Sequence, residues 1–169
     1  MATVQKITPH LWFDHQAEEA AQFYTSVFKN SKIGKVSRYG KEGFEIHGRP
    51  EGSAMTVAFT LEGQPFLALN GGPVFRFNES VSFMVHCNSQ QEIDYYWNKL
   101  SEGGDAKAQA CGWLKDRFGL SWQVVPTQLE KFMSDPVRSQ NVMKALMQMK
   151  KPDLAVLQEA YENTSRQPA

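Results

Sequence analysis

Thr8, His10 and Trp12 alternate with Ile7, Pro9, Leu11 and Phe13 near the start of the chain. In extended backbone this puts a hydroxyl, an imidazole and an indole on one face and an apolar set on the other. An imidazole with an ordinary pKa of about 6.5 suits removal of a proton next to a carbonyl at neutral pH, so His10 is the candidate general base. Residues 7–28 can be laid without gaps on residues 79–100, a shift of 72 positions. Thr8 then falls on Ser80, His10 on Ser82 and Trp12 on Met84, so a second face carries two hydroxyls and a thioether. In the segment 121–126, Trp122 and Val124 belong to a helix-side core, which leaves Ser121, Gln123 and Val125 for the same inner wall. Asn70 ends the apolar run Phe66 to Leu69 and closes the set, with Cys111 and Trp113 nearby. This lining mixes apolar area with a few hydrogen-bonding groups, which is the makeup of a small-molecule pocket. The alternative is a packed interior whose polar groups satisfy one another.

The elements that position these residues follow from periodicity. A strand over about 6–13 is followed by a helix whose Ala20, Phe23, Tyr24, Val27 and Phe28 recur at helical spacing. Residues 32–39 read as a strand, and 40–52, with its glycines and proline, as an irregular loop able to act as a lid. Strands over 53–61 and 65–70 are joined by Glu62-Gly63-Gln64, a short connection suited to a hairpin. The second module opens with a strand over 80–86 and a helix capped by Ser89. Strands over about 107–115 and 120–126 complete it, turned by Asp116-Arg117-Phe118-Gly119. Beyond residue 127 the chain reads as helical, with methionines and leucines supplying the apolar faces and with residues 163–169 disordered. The expected fold class is α+β: duplicated βαβββ modules at about 6–72 and 79–127, forming cupped mixed sheets, plus a helical tail at about 128–162, all in one domain over 1–169.

Eighteen basic residues balance eighteen acidic ones. The uniform positive field of a nucleic-acid or anionic-membrane binder is absent. The first residues lack the apolar stretch of a secretory signal, and no run approaches the ~20 apolar residues of a membrane helix, so a cytoplasmic protein is expected. Cys87 and Cys111 are widely spaced, without a clustered partner, and are expected as reduced thiols rather than a disulfide or a zinc site.

The order of elements, together with Ile7-Thr8-Pro9-His10-Leu11-Trp12-Phe13, Phe66-Leu67-Ala68-Leu69-Asn70-Gly71-Gly72 and Gly112-Trp113-Leu114-Lys115-Asp116-Arg117-Phe118-Gly119, resembles the vicinal oxygen chelate superfamily of glyoxalases, bleomycin-resistance proteins and extradiol dioxygenases. Within it the chain is similar to the PhnB-like family, over about residues 6–162. The resemblance implies a homodimer and a trough between the modules that in many relatives holds a divalent metal. Positions matching that metal's ligands are Thr8, roughly Asn70, Ser80 and Gln123, none a strong ligand, so neither metal nor other cofactor is expected. The family's label of demethylubiquinone methyltransferase is expected to be a name only, because no Gly-rich loop follows a parallel strand. The leading expectation is a metal-free protein binding a small, partly apolar, oxygen-bearing molecule in that trough. One rival is a metal-independent enzyme, an isomerase, a lyase or one acting on a quinone, with His10 as base. The other is a sequestering protein of the resistance type.

Overall fold

The computed structural model describes residues 5–163. Its contacts divide the chain into two compact units, one running through Phe77 and the other from Asn78 onward. The division falls in the linker between the repeated segments, and the helical tail belongs to the second unit.

In the first unit, β1 (His10–Phe13), α1 (Ala17–Val27), β2 (Lys32–Arg38), β3 (Ala54–Leu61) and β4 (Gln64–Asn70) build a mixed sheet of order β1-β4-β3-β2. β1 runs parallel to β4, and β3 is antiparallel to both β2 and β4. Leu11, Phe13, Val57, Phe59, Phe66 and Ala68 are buried on the side covered by Ala17, Ala20, Ala21, Tyr24 and Val27 of α1. β1 is shorter than expected. Ile7 is 82% exposed and lies outside the strand. The segment 40–52 contains one helical turn, α2 (Phe44–His47), where an irregular loop was expected. Gly43 and Gly48 flank it in left-handed conformation, at φ 80° and 63°, which is the backbone freedom that closes so short a helix at both ends. The loop is tied down by Arg49, whose Nη2 donates to Asp14 Oδ1 at 2.8 Å.

The second unit repeats the plan with one strand fewer. β5 (Ser82–Cys87), α3 (Gln90–Ser101), β6 (Trp113–Lys115) and β7 (Ser121–Pro126) give a sheet of order β5-β7-β6, with β5 parallel to β7 and β6 antiparallel to it. In both units the first strand pairs in parallel with the last. Ser89 caps α3, its Oγ accepting from Glu92 N at 3.2 Å, while the Glu92 carboxylate accepts from Asn88 N at 2.7 Å. The strand expected over 107–115 is cut to three residues. Residues Ala106–Ala108 form a 3-10 turn, and Cys111 and Gly112 take φ of 52° and 87°, which no strand accommodates.

Three tail helices follow: α4 (Leu129–Ser134), α5 (Arg138–Leu146) and α6 (Leu154–Glu162). Pro136 and Pro152 sit two residues ahead of α5 and α6. Asp135 Oδ1 accepts from Val137 N and Arg138 N, and Asp153 Oδ1 accepts from Val156 N. Phe132, Val142, Leu146 and Leu157 form the core of the tail. The methionines contribute less than expected, since Met143 and Met147 are exposed and only Met149 packs against that core. Of the residues 163–169 expected to be disordered, Asn163 instead caps α6, its N donating to Glu159 O and its O accepting from Asn141 Nδ2, while 164–169 lie outside the described residues.

Candidate functional site

Each sheet has one face under its helix and one that the helix does not cover. The uncovered face of the second sheet is fixed by register. Lys115, Ser121 and Ser82 form one cross-strand row, Trp113, Gln123 and Met84 the next, and Val125 and His86 a third. Period-two alternation sends the intervening Leu114, Trp122, Val124, Val85 and Cys87 to the helix side, where all are buried. Gln123 Nε2 donates to Ser82 Oγ at 2.9 Å, and Met84 beside it is 49% exposed. In the first sheet the equivalent rows place Trp12 with Leu69 and Thr56, and His10 with Leu67 and Ala58. Trp12 is half-buried, its indole N–H donating to Gly72 O at 2.8 Å and its ring meeting Phe75 edge-on at 4.9 Å. His10 is exposed.

The indole is held by a close approach of backbone. A Cβ on Gly71 would lie 2.3 Å from Trp12 Cζ2, so Gly71→Ala is expected to drive the ring out of place at a cost of about 1–3 kcal/mol. A changed tryptophan emission spectrum together with a lowered urea midpoint would show it.

Three of the expected site residues stand elsewhere. Asn70 is in register with Phe13, hence on the helix side of the sheet, where it is buried. Its Oδ1 accepts from Ala17 N at 2.8 Å and its Nδ2 donates to Ala54 O at 3.0 Å, so both ends of the amide are committed. Ser80 precedes β5 in a turn, its Oγ bonded to Asn78 Oδ1 at 2.5 Å. Thr8 is exposed and precedes β1. With these groups placed so, the positions matched to a metal's ligands offer no carboxylate or imidazole set. Among the described residues, moreover, no group of three or more His, Cys, Asp or Glu side chains could hold an ion. Such donors do not fit a first-row divalent metal.

Cys111 and Trp113 open onto a cavity of about 390 Å³ at the β6 edge, which Glu79, Ala108, Ala110, Leu114, Lys115 and Ser121 also line. Of the polar residues among them, Ser121 was expected on this face, whereas Glu79 and Lys115 were not. Lys115 alternates with buried Leu114 as Trp113 does, which places it on the open face. Lys115 Nζ lies 2.5 Å from Glu79 Oε1, and its hydrogen bond holds the Glu79 carboxyl below its ordinary range. Ser121 is 1% exposed, and its hydroxyl has no hydrogen-bond partner. A buried hydroxyl left so costs about 1–3 kcal/mol. A second cavity, of about 430 Å³, lies at the other end of the face against Met84, His86, Val125, Leu129 and Met133.

The two thiols differ in kind. Cys87 is fully buried, and burial pushes its pKa up to about 12, so its thiolate fraction near pH 8 is negligible. Cys111 is half-buried beside the first cavity. Iodoacetamide applied to the native protein at pH 8 is expected to alkylate Cys111 and spare Cys87, as peptide mass mapping would report.

The model of the family described as 3-demethylubiquinone-9 3-methyltransferase matches residues 5–125. Among solved structures, a PhnB protein from Bacillus cereus carrying the same description is 36% identical; the alignment covers 73% of this chain and 100% of that one, with a TM-score of 0.63. Protein PA1353 from Pseudomonas aeruginosa shares 20% identity over 73% of this chain and 98% of its own, at a TM-score of 0.54. The fosfomycin resistance protein FosX from Mesorhizobium loti shares 11% over 80% and 99%, at 0.52. The last two are likenesses of fold alone. No curated protein sequence matches the chain. Two units in which a strand, a helix and a parallel-paired closing strand recur, and a family match spanning most of the chain, lead to one assignment: the chain belongs to the PhnB-like family of the vicinal oxygen chelate superfamily.

Proposed function

We propose that this chain binds a small, partly apolar, oxygen-bearing molecule on the uncovered face of its second sheet, without a metal and as a homodimer. The observation that supports this reading is the row Trp113, Gln123, Met84: a half-exposed thioether and an indole flank a hydrogen-bonded amide on a face its own helix leaves open. Apolar walls with a few oriented polar groups suit such a ligand. Met84 and Trp113 supply contact area, and Ser82 and Gln123 orient the molecule by hydrogen bonds. The connection from β1 to α1, Asp14-His15-Gln16, carries no glycine of the kind that cradles a nucleotide-type cofactor, which favours reading the methyltransferase description as a family name. No helix among the described residues is long and apolar enough to cross a membrane.

Native mass spectrometry combined with elemental analysis of the purified protein tests the reading. The expected result is a dimer mass that retains an organic molecule, with divalent metal far below one per subunit. A stoichiometric divalent ion would overturn it. His10→Ala is expected to leave retention of that molecule within about threefold, because exposed His10 offers at most one solvent-competing hydrogen bond. Should the substitution instead abolish turnover of the molecule while retention persists, the chain is an enzyme with His10 as its base.

A further inference from the structure

The cavity at the β6 edge has walls that are mostly apolar, yet two groups in it are unsuited to a purely apolar guest. Ser121 presents a buried hydroxyl without a partner, and a ligand oxygen is what would satisfy it. Lys115 sits in the same cross-strand row, one strand away, with its ammonium already holding a carboxylate, that of Glu79. Glu79 lies outside the sheet, and its side chain is 63% exposed, so it can turn to water when another carboxylate takes its place. Trp113, Ala108 and Ala110 then face the rest of the guest.

We propose that this cavity receives the carboxylate of a small apolar monocarboxylic acid. One carboxylate oxygen displaces Glu79 from Lys115 Nζ, the other accepts from Ser121 Oγ, and the hydrocarbon part lies against Trp113. The proposal rests on the binding reading above and narrows the oxygen-bearing group to a carboxylate. About 390 Å³ holds a branched or aromatic acid of modest size.

The test is a titration of the full-length protein with isovalerate, hexanoate and phenylacetate, each beside its primary amide, following the Trp113 indole N–H by 15N–1H NMR. At least one carboxylate is expected to saturate and to bind about tenfold or more tighter than its amide, the margin of a charge-assisted hydrogen bond. Lys115→Gln is expected to erase that margin. Glu79→Gln is expected to tighten the carboxylate about threefold by removing its competitor. Ser121→Ala is expected to weaken carboxylate binding severalfold while raising the melting temperature of the unliganded protein, since the unpartnered hydroxyl is gone. Equal affinity for acid and amide, or a preference that survives Lys115→Gln, would overturn the proposal. The acid–amide contrast is read on the unsubstituted chain and stands even if Lys115→Gln does not fold. A retained neutral molecule in native mass spectra with no carboxylate preference sinks this inference alone; no retained molecule and no binding of any acid or amide sinks the binding reading with it.

Discussion

Replacing Asp116 by alanine is expected to cost about 3–5 kcal/mol of stability, because it strands three donors in a buried turn. The residue is 2% exposed. Its Oδ1 accepts from Phe118 N at 2.8 Å and Leu120 N at 3.0 Å, and its Oδ2 accepts from the Trp122 indole N–H, also at 2.8 Å. A single lost acceptor for a buried donor costs about 1–3 kcal/mol, and the Phe118 amide, being only part-buried, recovers some of its loss from water. Asp116→Asn is expected to be destabilising too, by about 2 kcal/mol, because its amide nitrogen must meet a donor on one side or the other. Urea unfolding at constant m would measure both, and a loss below about 1 kcal/mol for alanine would contradict the account. The consequence reaches the site, since this turn sets the pairing of Lys115 with Ser121 and of Trp113 with Gln123.

Asn70→Ala is expected to cost about 2–3 kcal/mol and to act on stability rather than on ligand affinity. The first turn of α1 has Gln16 at its N-cap with no side-chain cap bond, and Asn70 supplies the missing acceptor from β4. The same amide donates to Ala54 O, which fastens the start of β3. Asn70→Asp keeps the acceptor, next to a helix end that favours negative charge, but loses the donor and buries a carboxylate, so an intermediate loss is expected. If Asn70 instead oriented a ligand, alanine would leave the urea midpoint in place and reduce retention of the bound molecule, which is the opposite pattern.

The contrast between Asn70 and Gln123 shows how far this fold could be read in the sequence. Alternation located Ser82, Met84 and Gln123 on one face because their neighbours are large and apolar, and the repeat at a shift of 72 positions located the two opening strands. Asn70 defeats the same rule. A polar residue on the buried side looks like a residue of the open side unless its partner is known, and that partner, the start of α1, lies 53 positions away. The strand expected over 107–115 failed for a local reason, since Cys111 adopts a left-handed backbone that its residue type does not announce. The chain beyond residue 127 read as helical without its three helices being told apart, and its apolar residues did not separate Val142 and Leu146, which are buried, from Met143 and Met147, which are exposed. Ser121 was placed on the correct face, while its want of a partner depends on what surrounds it in three dimensions.

The tail is fastened to the duplicated part by two backbone bonds, Cys111 N to Met149 O and Gly112 N to Lys150 O, and by Gln90, which holds Pro152 O and Leu154 N. Residues 149–154 lie beyond the span matched by the family model, yet they back the turn on which Cys111 and Trp113 are mounted. Divergence could therefore widen or narrow the opening beside β6 by drift in this appended stretch alone, leaving the ancestral repeat untouched, so close relatives that differ mainly after residue 148 should differ in which guests they admit.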